Sequence, residues 1–152
     1  MIKEIPEDLF KLKADALAHG CNTKGIMDAG IALEFKRRYP KMFDEYTDYC
    51  RSDLLKPGEV HFYRDADGRK PYIVNIAAQI TPSSGARIEY VERGLVNVGR
   101  SYKDWRIKSL AIPKIGCGLG RLKWSDVDNI VRRIFGASDL EVIIALGKST
   151  DS

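Results

Sequence analysis

Ser109-Leu110-Ala111-Ile112-Pro113-Lys114-Ile115-Gly116-Cys117-Gly118-Leu119-Gly120-Arg121-Leu122-Lys123-Trp124 holds a strand, a glycine-rich loop and the start of a helix in one run. Ser109 to Pro113 is short and apolar, as a buried strand is. From Trp124 to Phe135 the apolar residues recur at helical spacing, with Ser125 or Asp126 placed as N-cap or first-turn acid. A strand that passes to a helix through a glycine loop is the repeating unit of a parallel α/β sheet.

The same unit stands earlier in the chain. Ala14 to Cys21 is a small, apolar strand, and Asn22 to Gly30 is a loop of turn formers. Ile31, Ala32, Phe35 and Tyr39 then recur near helical spacing until Pro40 breaks the helix. Met42, Phe43, Tyr46, Tyr49 and Cys50 make a second helical stripe. Met1 to Ile5 reads as a first strand closed by Pro6, and Val60 to Arg64 and Tyr72 to Ala77 as a pair with Asp67-Gly68 as their hairpin signal. Ile88, Val91, Leu95, Val98 and Tyr102 mark another helix. Leu140 to Leu146, nearly continuous in Val, Ile and Leu, reads as a strand buried on both faces. Helices alternating with strands predict an α/β fold, a three-layer α/β/α sandwich around a mixed central sheet of about six strands.

Composition narrows the classes. At 152 residues the chain suits one domain, and 44% hydrophobic with 30% charged residues is ordinary for a globular protein. Extended disorder and repeat architectures are excluded. No apolar run approaches the roughly 20 residues that span a bilayer. The start of the chain lacks a signal-peptide core, so the expectation is a cytoplasmic monomer with no membrane partner. A net charge of +4, spread along the chain, is no nucleic-acid stripe and suits a small phosphorylated ligand as well. Cys21, Cys50 and Cys117 have no disulfide or metal-site spacing and are expected to be reduced thiols.

The chemistry is expected in the two loops. Ligands of α/β folds sit where strand ends meet helix N-termini. Glycine lets backbone N–H groups approach a phosphate without a Cβ in the way, so a diphosphate site is the natural inference, although glycines in loops also serve as plain turns. No GxxxxGK[ST] phosphate loop is present, and Gly116-x-Gly118-x-Gly120 lacks the later glycine of a dinucleotide fingerprint.

His19-Gly20-Cys21-Asn22-Thr23-Lys24-Gly25-Ile26-Met27-Asp28-Ala29-Gly30-Ile31-Ala32-Leu33-Glu34-Phe35-Lys36 resembles the first ligand loop and helix of a macrodomain, and Ile112 to Trp124 resembles its second, phosphate-binding loop. The order of elements matches over nearly the whole chain. The resemblance implies a macrodomain over residues 1–147 with a short tail at 148–152. Within the superfamily it lies closest to the branch of terminal ADP-ribose protein glycohydrolase, the DNA ADP-ribosylglycohydrolase antitoxins and the ADP-ribose-1″-phosphate phosphatases. It implies a deep cleft for ADP-ribose, or for an ADP-ribosylated protein, nucleic acid or small molecule, with neither metal nor cofactor. Asp8 would accept from the adenine amino group and Asn22 would hold the distal ribose. Gly25, Ile26 and Gly30 would line that ribose and the phosphates. The stretch Ile115, Gly116, Cys117, Gly118, Leu119 and Gly120 would wrap the diphosphate.

Catalysis departs from those relatives. Where the terminal glycohydrolase has an Asp in the second loop this chain has Gly120, and the position of its Lys is met best by Gln79, which cannot form a lysyl adduct. Asp28 instead has the offset from Ile31 at which another hydrolase class of the family carries a water-activating Asp. It is the leading catalytic candidate, with helix capping as its other reading. Gln79 and His19 are lesser ones, His19 and His61 reading mainly as structural. An ADP-ribosyl hydrolase is the leading expectation. A non-catalytic ADP-ribose reader, an ADP-ribose-1″-phosphate phosphatase and a nucleotide-binding structural module are the alternatives.

Overall fold

The computed structural model describes residues 1–147; the expected tail, 148–152, lies outside the described residues. Six strands form one sheet: β1 (Ile2–Ile5), β2 (Ala16–Cys21), β3 (Val60–Tyr63), β4 (Tyr72–Ala77), β5 (Ser109–Ile112) and β6 (Glu141–Ala145). Their order is β1-β6-β5-β2-β4-β3. All neighbours are parallel except β3, which runs antiparallel to β4 through the expected hairpin. The carboxyl ends of β1, β2, β4, β5 and β6 therefore share one edge of the sheet.

Side-chain alternation sorts the core into two halves. Ala16 and Ala18 of β2, Val74 and Ile76 of β4 and Leu110 and Ile112 of β5 face α3 (Ile88–Ser101) and α4 (Trp124–Phe135). Leu17, Cys21, Ile73 and Ala111 face α1 (Gly30–Arg38) and α2 (Pro40–Arg51). Val91, Leu95 and Val98 of α3 are fully buried, each worth about 1.5–3 kcal/mol against exposure. Pro40 begins α2 at its first turn, where no N–H is needed, so one residue both stops α1 and starts α2. β6 is buried on both faces as expected.

Three polar residues lie in register across neighbouring strands: His19 pairs with Asn75, and Asn75 with His61. His19 Nε2 lies 2.6 Å from Asn75 Oδ1, Asn75 Nδ2 lies 3.0 Å from His61 Nδ1, and His61 Nε2 lies 2.7 Å from Glu45 Oε2. Glu45 and the Asn75 carbonyl can only accept, so both histidines carry their proton on Nε2. His19 stacks on Phe35 with ring centroids 3.9 Å apart, and its Nδ1 has no partner.

Of the expected roles at the start of α4, that of first-turn acid is filled by Asp126, while neither Ser125 nor Asp126 caps the helix; Lys123 occupies the N-cap with no side-chain bond. One expectation is corrected. Asp28 does not cap α1, since Ala29 is the N-cap residue and no side chain bonds that helix end.

Candidate functional site

Three loops leave the shared edge of the sheet and enclose a cleft of about 710 Å³, its open mouth included. The first follows β2, the second β5, and the third joins β4 to α3. The third loop is tied to both others. Thr23 N–H and its hydroxyl donate to Ile80 O on one side, and Ala86 N–H donates to Gly120 O on the other.

The first loop is organised by Asn22, which is 5% exposed. Its Oδ1 accepts from Lys24 N–H (2.9 Å), Ile26 N–H (3.3 Å) and the Tyr46 hydroxyl (3.1 Å), and its Nδ2 donates to Ile26 O (2.8 Å). Tyr46 O–H also lies 2.7 Å from Asn22 O. Burial raises the Tyr46 pKa, so the hydroxyl stays protonated and can donate. The Asn22 carbonyl is thus saturated by the loop, and one Nδ2 hydrogen remains.

The second loop is closed by its own backbone. Leu122 N–H donates to Gly116 O (2.8 Å), Arg121 N–H to Gly118 O (3.1 Å) and Cys117 N–H to Lys114 O (3.1 Å). Gly116 has φ +76°, and a Cβ on Gly120 would stand 2.5 Å from Gly116 O and 2.8 Å from Ala86 Cβ, so neither position admits a side chain without a shift. No described group accepts from the N–H groups of Gly118, Leu119 and Gly120. Successive free N–H groups beside a helix N-terminus form an anion-binding concavity. Leu119 is 61% exposed and reaches over to Gly30, where a Cβ would meet its Cδ1 at 3.2 Å. The two loops therefore touch above the cleft.

Of the expected site residues, Asn22, Ile26, Asp28, Gln79, Gly116, Leu119 and Gly120 line this cleft together. Gly25, Ile115, Cys117 and Gly118 belong to the same two loops, and Gly30 is the first residue of α1, without lining it. Asp8 follows β1 at the same sheet edge and accepts from Phe10 N–H at 3.4 Å, starting a single 3-10 turn, Leu9–Lys11. His19 is not brought to the cleft. It is completely buried on the α1 side of β2, and burial lowers its pKa to about 4 against the pull of Asn75. Asp28 is 72% exposed, with Lys36 Nζ 3.5 Å from Oδ1. Cys117 is held as a thiol, its pKa pushed up to about 11 chiefly by burial. In the third loop the sequence singles out Gln79 as a lesser catalytic candidate and reads Thr81 to Gly85 as a plain loop; Ala78, Gln79 and Pro82 together form one wall of the cleft. The loop's Thr-Pro-Ser-Ser-Gly composition is that of any turn and carries no ligand signal.

Among the described residues no group of three or more His, Cys, Asp or Glu could hold a metal ion, and no helix is long and apolar enough to cross a membrane. The Macro domain pattern matches residues 18–131. The chain belongs to the Macro domain family. It is 33% identical over 141 residues to the "DNA ADP-ribosyl glycohydrolase" of Mycobacterium tuberculosis, covering 90% of this macrodomain and 40% of that protein. It is 29% identical to the "ADP-ribose 1″-phosphate phosphatase" of Lodderomyces elongisporus, over 88% of this chain and 92% of that one. The structure of Thermosipho africanus DarTG in complex with ADP-ribose superimposes with a TM-score of 0.88 at 27% identity, over 95% of this chain and 41% of that chain. The macrodomain thus spans about 40% of the length of the first curated relatives that it matches.

Proposed function

We propose that the cleft binds ADP-ribose and that this macrodomain hydrolyses ADP-ribosyl linkages, releasing ADP-ribose from a macromolecule or a small derivative. One observation carries the reading: free N–H groups on Gly118, Leu119 and Gly120, in a loop that shares one cleft with Asn22 and Asp28. Those donors, with Gly116, Ile115 and Cys117 shaping their loop, suit a diphosphate. On this reading Asn22, Gly25, Ile26 and Gly30 would meet the distal ribose and its phosphate, and Asp8, at the same sheet edge but outside the residues that line the cleft, would accept from the adenine amino group. The names of the relatives support the same chemistry. On this reading residues 1–147 act as one domain, with a cytoplasmic monomer as the expected state.

In hydrolysis a water oxygen bonds to the anomeric carbon as the bond to the leaving group breaks. Asp28 accepts the water's proton, which then passes to the leaving group or to solvent. Lys36 Nζ lies 3.5 Å from Oδ1 of this carboxylate.

A non-catalytic reader is the second reading, favoured by Gly120, where no acid fits, and by the neutral Gln79. Turnover of ADP-ribosylated DNA, ADP-ribosylated protein and ADP-ribose 1″-phosphate, measured side by side, tests the proposal. Release of ADP-ribose from either macromolecule supports the hydrolase. Release of phosphate from the third alone makes the domain a phosphatase, and tight ADP-ribose binding without turnover makes it a reader.

A further inference from the structure

Gln79 lies just beyond β4, its backbone N–H donating to Cys21 O at 3.3 Å. Its side-chain Nε2 donates to Thr81 O at 2.8 Å and to Pro82 O at 3.2 Å. Carbonyl oxygens only accept, so the nitrogen must be on that side and the orientation of the amide is fixed. The turn that receives it is itself locked: Thr81 N–H donates to Ser84 Oγ (3.1 Å) and Ser84 N–H to Thr81 Oγ1 (3.0 Å). Both amide hydrogens are occupied, and Oε1 is left with no described donor.

The cleft has few other acceptors. Among the side chains lining it, only Asn22, Asp28 and Gln79 carry oxygen. Asn22 Oδ1 already accepts from the Lys24 and Ile26 N–H groups and shares the single Tyr46 hydroxyl hydrogen with Asn22 O, so both of its lone pairs are used. Asp28 and Gln79 are therefore the two lining side chains able to accept a hydrogen from a bound molecule, and they come from different walls, the first loop and the third.

A water that attacks carbon must turn one lone pair toward it, and acceptors for both of its hydrogens hold it in that pose. We infer that Gln79 is a positioning residue that orients the attacking water through Oε1, while Asp28 takes the other hydrogen as a proton; this rests on the hydrolase reading above. The water oxygen bonds to the anomeric carbon, the bond to the leaving group breaks, and the proton on Asp28 goes to the leaving group or to solvent. The hydrogen facing Gln79 stays on the new hydroxyl, so Gln79 gains and loses no proton. A carbonyl held by a locked turn suits that task, because orienting the nucleophile lowers the barrier only if the acceptor does not move.

Parent, Gln79→Met and Gln79→Glu proteins are compared on the three substrates named above, together with ADP-ribose titrations. Methionine keeps the length and removes the acceptor; glutamate keeps an acceptor and removes the donor that the turn uses. The expected result is a kcat lower by on the order of 10²-fold in Gln79→Met. Its KM and ADP-ribose affinity should stay within about twofold. Gln79→Glu should regain at least about tenfold of the loss. A Met variant with the parent's kcat overturns the inference. Equal losses in both variants overturn it too, since the amide would then act only by holding the turn. A loss in ADP-ribose affinity with unchanged kcat makes Gln79 a ligand contact instead. If the parent binds ADP-ribose but turns over none of the substrates, the hydrolase reading itself has failed and this inference falls with it. An active parent with an active Met variant refutes the inference alone.

Discussion

In the loop after β2 a buried Asn22 gathers the chain around its own amide, and the Tyr46 hydroxyl secures it from α2. In the loop after β5 no side chain does this. Gly116 and Gly118 carbonyls close the turn, the absence of a Cβ at Gly120 lets its backbone approach Gly116 O, and Gly116 adopts a left-handed φ beside the Leu122 side chain. The contrast has a chemical consequence. Around Asn22 the first loop spends its Lys24 and Ile26 N–H groups internally, while the N–H groups of Met27 to Gly30, toward α1, have no described acceptor. The second loop leaves Gly118, Leu119 and Gly120 N–H groups without a described acceptor, the arrangement that the proposed function reads as an anion receptor. Damage to the Asn22 bonds of the first loop should therefore register mainly as stability, and damage to the second loop mainly as affinity.

The largest expected effect is in rate and concerns the one carboxylate that the first loop offers to the cleft. Asp28→Asn should lower turnover by roughly 10² to 10⁴. Since Asp28 caps nothing and its pair with Lys36 is exposed, the melting temperature should not change. ADP-ribose affinity should fall little or rise. Full activity in that variant would show that the first loop contributes shape alone.

Next is the second loop. Gly118→Glu places bulk and negative charge among the free N–H groups and should weaken ADP-ribose binding by at least about 10²-fold, with the fold intact. Unchanged affinity by calorimetry would refute the receptor role.

The strand that feeds the first loop should make the protein acid-sensitive. His19 has an unfolded value near 6.5 and a folded value of about 4, so between those limits the unfolded chain binds the proton first. Its contribution is fully present above pH 6.5 and is lost as pH falls toward 4, about 2–3 kcal/mol by pH 4.5. His61, lowered by burial in spite of Glu45, acts in the same direction. Urea unfolding at pH 7 and pH 4.5 checks this, and His19→Leu should flatten the difference.

The smallest effect is Tyr46→Phe. It removes the hydroxyl from Asn22 and should cost about 1–2 kcal/mol in thermal or urea unfolding. A matching loss of stability in Gly118→Glu would erase the distinction between the loops.

Much of this was legible in the residues, because local signals decided it. Trp124–Phe135 and Tyr72–Ala77 have the predicted bounds, and the two glycine loops follow the strands expected of them. What was hidden depends on distant segments meeting. The His19–Asn75–His61 row exists only through the register of three strands, although a lone Asn inside apolar β4 was a visible sign of a buried partner. Gln79 was a lesser candidate from the sequence, but the wall it forms with Ala78 and Pro82, and the turn that fixes its amide, were hidden for the same reason. Asp28 could be read as a cap because Asp favours that position, but the chain placed Ala29 there instead.

The central claim, that the cleft between two differently built loops is made for ADP-ribose, is tested most directly by calorimetric titration of the protein with ADP-ribose and with AMP. Micromolar binding of ADP-ribose, about −8 kcal/mol, is expected, with AMP far weaker because most of the free loop donors would find no phosphate. No heat with ADP-ribose, or equal affinity for AMP, would contradict it.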